Sequence, residues 1–373
     1  MKHLKIKDII VNTSPEKVPI GTIPYIEIGD IDIFNKTYQY KDKKSVSGAK
    51  YALKDSIIVS TVRPTRGAIS VIKEEKIAVS NAFAIINVDK EQCNYKYLFY
   101  MINSNKFYEY LGSNSKGATY PTCSREDVYN YEIVLPSLEE QNKIVKIFEN
   151  ISNNTNIKKQ QILSLEQLVK SQFIEMFGNG NKWNITTLES VSNKITDGEH
   201  GTVPRQSYGN LYLMARNITD DSKLDLDEVS FISDEVFNKL YSRCNPEEGD
   251  ILLVCVGATI GKVALVPKMD RFSLARSVAL IKTNNSLINN IYLLHLIKDD
   301  FVQSQIKMSI HGGAQSGLYT NMIKKIKISL PPIELQNKFA CIVKQIDKQK
   351  YEFEKQLEKL KELQESLMKE YFG

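Results

Sequence analysis

Apolar residues fall into two rhythms along this chain. From 331 to 373, Phe339, Ile346, Phe353, Leu360 and Leu367 recur every seven positions, with Leu357 and Tyr371 adding part of a second seam. Glu352, Glu354, Lys355, Glu358, Lys359 and Lys361 fill the outer positions. A seven-residue apolar repeat with charged flanks predicts a coiled coil, and about 40 helical residues would span roughly 60 Å. From 136 to 178 the helical rhythm is looser. Ile144, Ile147, Ile151, Ile162, Leu165, Leu168 and Phe173 form the stripe, and Thr155 and Lys158 interrupt it. The second rhythm is that of strands. Ile23–Ile28 and Ser56–Val62 are rich in β-branched residues. Arg63–Gly67 is a turn by its Pro and Gly, so Ala68–Ile72 reads as the returning strand of a hairpin. Tyr95–Leu111 reads as one buried helix, followed by a polar loop over 112–121.

These patterns occur twice. Leu135-Pro136-Ser137-Leu138-Glu139-Glu140-Gln141-Asn142-Lys143 returns as Leu330-Pro331-Pro332-Ile333-Glu334-Leu335-Gln336-Asn337-Lys338. Each copy opens a long helical pattern that ends in Phe-Gly, at 177–178 and at 372–373. The offset is 195 positions at both ends (331 − 136 and 373 − 178). The globular stretches match as well: Asp250–Val254 with Asp55–Val59, Gly261–Val266 with Gly67–Ile72, Ala275–Ala279 with Ser80–Ala84, and Gly313-Ala314 with Gly117-Ala118. An internal repeat of this length implies a duplicated unit. The order is domain, helix, domain, helix, with segments 1–135, 136–182, 183–330 and 331–373. The expected class is α+β: two tandem mixed α/β domains and two long helices. If those helices pair antiparallel, the domains are related by a pseudo-two-fold axis.

Composition narrows the classes. No run of about 18 apolar residues exists, so no membrane span is expected, and the N-terminus lacks a signal-peptide core. Five scattered cysteines point to reduced thiols in a cytoplasm. Four scattered histidines suggest no metal site. The net charge of +5 is mild. Residues 1–132 carry 19 Lys and Arg against 15 Asp and Glu, and residues 183–327 carry 16 of each. An anionic partner would therefore be met by local clusters rather than bulk charge.

Catalytic patterns are near-misses. Gly257–Val263 resembles a phosphate-binding loop but is one residue short between its glycines, and Val263 stands where a Mg²⁺-binding hydroxyl is required. Asp55 with Glu74-Glu75-Lys76 has the loose spacing of a metal nuclease, but Asp55 pairs with Asp250 as a strand-opening turn residue. Polar loops at matching places in the two domains are the better candidates. Arg63, Thr65 and Arg66 on the first hairpin turn correspond to Thr259 and Lys262 on the second. Asn81 corresponds to Arg276. Lys116, Thr119, Tyr120 and Thr122 correspond to His311, Gln315, Ser316 and Tyr319. His200 and Arg205 lie on an extra loop over Asp197–Arg205. Arg216 suits either a DNA contact or a pair with an acid. Arg matches guanine edges and phosphates, and Asn and Gln match adenine edges.

The repeated Leu-Pro-x-x-Glu-x-Gln opening, the two Phe-Gly endings, the domain–helix order and the loop "GGAQSGLYTNMIKKIKISLPP" together resemble the specificity subunit of type I restriction–modification enzymes. The resemblance covers essentially the whole chain. The first domain's "KGATYPTCSREDVYNYEIVLP" departs from it in lacking a counterpart of Gln315. The resemblance implies two target-recognition domains, each reading half of a bipartite site on double-stranded DNA. It implies an antiparallel coil, seamed by Ile144, Ile151, Leu165, Phe339, Ile346, Phe353, Leu360 and Leu367, that sets their spacing. It also implies docking of two methyltransferase subunits, joined by motor-nuclease subunits. The chain itself would carry no catalytic residue and no cofactor: S-adenosylmethionine, ATP and Mg²⁺ would bind the partners. Two other classes remain open on the residues alone. One is a nucleotide- or metal-dependent enzyme acting on DNA, and the other is a coiled-coil adaptor that binds proteins.

Overall fold

The computed structural model describes residues 2–11, 18–44, 47–178, 183–310 and 317–373. It divides into two compact units. The first is Met1–Gln160 with Glu354–Gly373, and the second is Gln161–Phe353. Two continuous helices, Leu138–Phe177 and Ile333–Phe372, are each shared between the units. Compactness thus cuts through the helices, whereas the sequence segments set them apart. The reason is burial: an apolar stripe on a helix is stabilised only against another surface, and each domain supplies that surface to part of both helices.

In the first unit, Lys2–Lys5 pairs antiparallel with Glu132–Leu135, closing the domain just before its long helix. Strand Ile57–Ser60 lies between Phe83–Ile86 and Ile69–Val71. Ile57 and Val59 enter one core and Ile58 enters another, so both faces are covered. A strand buried on both faces needs an unbroken apolar run, which is what 57–59 provides. A mixed four-stranded sheet runs Lys41–Lys44, Thr22–Ile26, Lys76–Val79, Lys50–Leu53, with Tyr25 beside Ala78 in its parallel pair.

The second unit repeats the plan. Asn184–Thr187 pairs with Lys327–Leu330, and Ile251–Val254 lies between Val278–Thr283 and Val263–Leu265. Again Ile251 and Leu253 face one core, and Leu252 and Val254 face another.

Three local expectations change. Tyr95–Leu111 is two helices, Tyr95–Met101 and Asn105–Ser113, with a break at 102–104 and Ser104 at the second N-cap. Its counterpart breaks likewise, into Asn290–Lys298 and Asp300–Ser309, where the Asp299 side chain caps Phe301 N–H. The prolines of the repeated motif precede the long helices rather than begin them. Ser137 Oγ accepts Glu140 N–H at 3.3 Å, and Pro332 O accepts Gln336 N–H at 3.2 Å. Finally, Ile147 and Leu168 lie on the exposed side of their helix, while Phe148 and Val169 turn inward.

The helices pair antiparallel within the second unit. Phe177 packs edge-on against Phe339 at 5.5 Å, and Glu166 is ion-paired with Lys350. Moving back along one helix therefore moves forward along the other. In the first unit, Phe372 packs on Tyr97 at 5.3 Å and on Phe148 at 5.9 Å. Ile144, Ile151, Phe339 and Ile346 are buried; Leu165, Phe353, Leu360 and Leu367 are half-buried. Thr155 and Lys158 are also half-buried, so the inward face continues through polar residues there.

Candidate nucleic-acid interface

The repeated motif acts as a bolt between each domain and its helix. Gln141 is fully buried. Its Oε1 accepts Asn94 N–H at 2.8 Å, and its Nε2 donates to Gln92 O at 3.2 Å and Pro136 O at 3.0 Å. Asn94 Nδ2 donates to Asn142 Oδ1 at 2.7 Å. The second copy does the same. Gln336 accepts Asn289 N–H at 2.8 Å and donates to Leu287 O and Pro331 O, and Asn289 Nδ2 reaches Asn337 Oδ1 at 2.9 Å. Asn94 and Asn289 also cap the helices they begin. Buried amides with this many partners are expensive to leave unpaired, so the geometry is narrow. Sequence reasoning missed Asn94 and Asn289, although both recur at the 195-residue offset with Tyr97 and Tyr292 three residues on.

On that frame, one set of backbone bonds gathers the predicted loops in each domain. Thr61 N–H donates to Ala82 O at 2.8 Å, and Cys123 N–H donates to Thr61 O at 2.9 Å. In the second domain, Cys255 N–H donates to Ser277 O at 2.9 Å, and Leu318 N–H donates to Cys255 O at 2.7 Å. The end of the hairpin strand, the residue before the next strand and a residue leading into the last short helix, Cys123 or Leu318, are thereby brought side by side in both.

In the first domain, the loops close on each other around Arg63. This residue takes a left-handed conformation at φ +46°. Its N–H donates to Pro121 O at 2.7 Å, its guanidinium lies 4.1 Å from the Tyr120 ring centroid, and Nη2 donates to Thr119 O at 3.3 Å. Thr65, Arg66, Lys116, Thr119, Tyr120 and Thr122 are exposed around it. Lys116 and Thr122 exchange backbone bonds at 2.9 Å. Asn81 is exposed beside them, its carbonyl bound by Arg125, whose Nε also donates to Phe83 O at 2.9 Å. A second clamp holds the turn from behind. Lys36 Nζ donates to Gly67 O at 2.8 Å and to Tyr108 OH at 3.1 Å. Burial lowers the Lys36 pKa, since the ammonium is partly withdrawn from water.

The second domain gathers fewer of its predicted residues. Thr259 and Lys262 share a turn, and Lys262 Nζ is paired with Asp220 Oδ1 at 2.8 Å. Arg276 is exposed, and its N–H donates to Glu199 O at 3.0 Å, next to His200. His200 Nε2 is 2.7 Å from Asp197 Oδ2, a carboxylate shared with Arg243 at 3.0 Å. Arg205 is exposed on the same loop. The partner of Arg216 is a hydroxyl: its Nη2 donates to Ser230 Oγ at 3.2 Å. Tyr319 is exposed at the start of the last short helix. His311, Gln315, Ser316 and the Gly313-Ala314 match lie outside the described residues.

The residues of the catalytic near-misses are otherwise engaged. Asp55 pairs with Lys90 at 2.7 Å, Glu74 binds the Tyr38 hydroxyl, and Glu75 pairs with Lys54 at 2.6 Å. Gly257 and Gly261 have φ of +112° and +96° in a hairpin turn. Among the described residues, no group of three His, Cys, Asp or Glu side chains is placed to hold a metal, and no helix is long and apolar enough to cross a membrane.

Comparisons with known proteins agree with this construction. The chain is 24% identical over 294 residues to the type I restriction enzyme MjaVIII specificity subunit of Methanocaldococcus jannaschii, covering 72% of this chain and 68% of that protein. It is 23% identical over 400 residues to the MjaIX specificity subunit of the same organism, covering 98% and 90%. A chain solved in work on complex assembly and conformational transition of the type I R-M system superposes with a TM-score of 0.65 at 20% identity, covering 100% of this chain and 97% of that one. The type I restriction–modification S subunit from M. genitalium gives 0.60 at 16%, covering 100% and 96%. At such identities the structural likeness speaks to the fold. The family model of the type I restriction modification DNA specificity domain matches residues 4–167 and again 181–364, one copy for each half of the internal repeat, and the chain belongs to that family.

Proposed function

We propose that the chain is the DNA-reading subunit of a type I restriction–modification complex. Each globular domain, 1–135 and 183–330, meets one half of a bipartite duplex site, and the long helices carry the domains and seat partner subunits. The observation that carries this reading is the doubling. Two domains are stitched by equivalent backbone bonds, present polar loops at equivalent places, and are bolted to a shared helix pair by the same Gln-Asn lock. A bipartite target asks for two similar readers in one molecule, by the same geometric logic as dimeric DNA-binding proteins.

In this reading the chain performs no bond chemistry. Its loops grip the duplex so that a methyltransferase partner can extrude an adenine from the stack. S-adenosylmethionine belongs with two methyltransferase subunits, ATP and Mg²⁺ belong with motor-nuclease subunits, and the complex works in the cytoplasm. Arg63, Thr65, Arg66, Asn81, Lys116, Thr119, Tyr120 and Thr122 serve one half-site. His200, Arg205, Arg216, Thr259, Lys262, Arg276, His311, Gln315, Ser316 and Tyr319 serve the other.

Co-expression with the neighbouring methyltransferase, followed by adenine-methylation mapping across a genome, tests it. The expected result is one split motif with a constant gap. Methylation without this chain, or at an unsplit motif, would overturn it.

A further inference from the structure

Phe34 is 88% exposed, more than any other large apolar side chain among the described residues. It is not on a loose loop. Asp32 Oδ1 accepts the N–H groups of Phe34 and Asn35 at 2.9 and 3.0 Å, and its Oδ2 accepts Asn35 Nδ2 at 2.7 Å. The flanking pairs Ile31 with Tyr38 and Asp32 with Thr37 close a two-stranded hairpin below the tip. Three further ties fix this hairpin to the domain. Lys36 Nζ binds Gly67 O, Ser70 Oγ donates to Lys36 O at 2.7 Å, and Tyr38 OH accepts Lys73 N–H at 2.7 Å. The turn is preorganised to keep an aromatic ring in water, which costs hydrophobic free energy unless something covers the ring.

The position of the tip identifies the cover. Lys36, two residues after Phe34, binds the carbonyl of Gly67, the residue after Arg66. The hairpin that carries the ring is therefore tied to the turn that holds Arg63 and Arg66. A single ring on a narrow tip joined to a basic turn does not match a stable protein interface, which takes about 800 Å² per partner. It does match an apolar wedge that enters between base steps while basic neighbours hold the phosphates. The second domain keeps the framework but not the ring. Its equivalent turn, Thr219–Lys223, is closed by the bridge of Ile218 with Leu224 and tied to the hairpin by Asp220 and Lys262. Its tip carries Asp220, whose side chain is 89% exposed, ion-paired with Lys262, and offers no apolar surface to enter between bases.

We infer that Phe34 is a DNA-inserting wedge confined to the first half-site, unstacking one base step there and none through the matching turn of the second domain. The inference rests on the DNA-reading function proposed above. The wedge stacks on and separates bases; no covalent bond changes.

The full chain with its co-expressed methyltransferase, and duplexes carrying the mapped motif, provide the test. Trp183 is the chain's only tryptophan, so F34W in a W183F background gives a single reporter at the tip. Its emission should be quenched when the motif duplex is added, and 2-aminopurine scanned along the motif should brighten at one step of one half-site with wild-type protein but not with F34A. An abasic site at that step removes the unstacking cost and should tighten wild-type binding by about tenfold while leaving F34A unchanged. Bound duplex with unquenched F34W emission and no 2-aminopurine signal overturns the wedge and leaves the DNA reading intact. F34A that keeps the 2-aminopurine brightening and the abasic-site tightening but no longer co-purifies with the methyltransferase overturns it in favour of a protein contact. Absence of duplex binding by the wild-type complex at every salt concentration overturns the DNA reading, and the wedge with it.

Discussion

Gln141 and Gln336 bear the sharpest constraint at the residue scale. Each is a buried amide that satisfies backbone groups from both a domain and a helix opening. Truncating either to alanine leaves these groups unpaired, at a cost of about 1–3 kcal/mol. Q141A should lower the denaturant midpoint of the first unit and Q336A that of the second. Equal midpoints to wild type would show that water replaces the amide. Arg63 is constrained differently, by a left-handed backbone and a stacked ring. R63A should relax base preference at the first half-site by about 1–3 kcal/mol and spare the second, read by binding to duplexes randomised in one half at a time. Gly67 has φ +73°, and a Cβ there would lie 2.7 Å from Lys36 Nζ and 3.0 Å from Tyr108 OH. G67A should therefore release the Lys36 clamp as well as strain the turn, weakening the first half-site more than R66A does.

At the scale of elements, the aromatic junction of the second unit carries a pH dependence. His295 packs against Phe339 at 5.3 Å and Phe173 at 6.3 Å. Burial pushes its pKa down from 6.5 to about 4, and the nearby Lys298 ammonium acts in the same direction. Between those values the unfolded chain binds a proton that the folded chain does not. The contribution is therefore fully present above about pH 6.5 and is lost as pH falls toward about 4. Trp183, whose indole N–H donates to Phe177 O at 3.1 Å, reports on this junction. Its urea midpoint should fall between pH 7 and pH 4.5 in wild type and fall less in H295Q. The Phe339 ring is fully buried among Phe173, Phe177 and His295. F339A should cost about 3–5 kcal/mol by the same readout.

At the scale of the molecule, the chain is two units of equivalent construction, each holding one domain and portions of both helices. Phe353 ends the second unit's share of the C-terminal helix, and Leu360 lies in the first unit's share. Both are half-buried on the inward face. If the helices set the spacing of the readers, F353E with L360E should change the gap of the methylated motif or release the methyltransferase. An unchanged gap in an intact complex would show that the spacing is set elsewhere.

Much of this was legible in the sequence, because the signals are local. A seven-residue repeat needs only its own helix to be read, and a β-branched run such as 57–59 announces a strand. The 195-residue offset made the duplication visible before any contact was known. Other features depend on partners far along the chain. The bond from Asn94 to Gln141 joins positions 47 apart, and the Lys36 clamp reaches Gly67 and Tyr108 across 31 and 72. The break at 102–104 falls in a short polar stretch, Asn103-Ser104-Asn105-Lys106, which the apolar density on either side outweighed. Ile147 and Leu168 belong to the apolar stripe yet face outward, because an apolar helical stripe is wider than the contact it makes. Which edge turns inward is decided by where the neighbouring surface lies. Two domains, two long helices and the polar loops between them follow from the order of residues alone. Which loops meet, which charges are already paired and which aromatic ring is held out in water are settled in three dimensions, because those outcomes are set by contacts that no local pattern encodes.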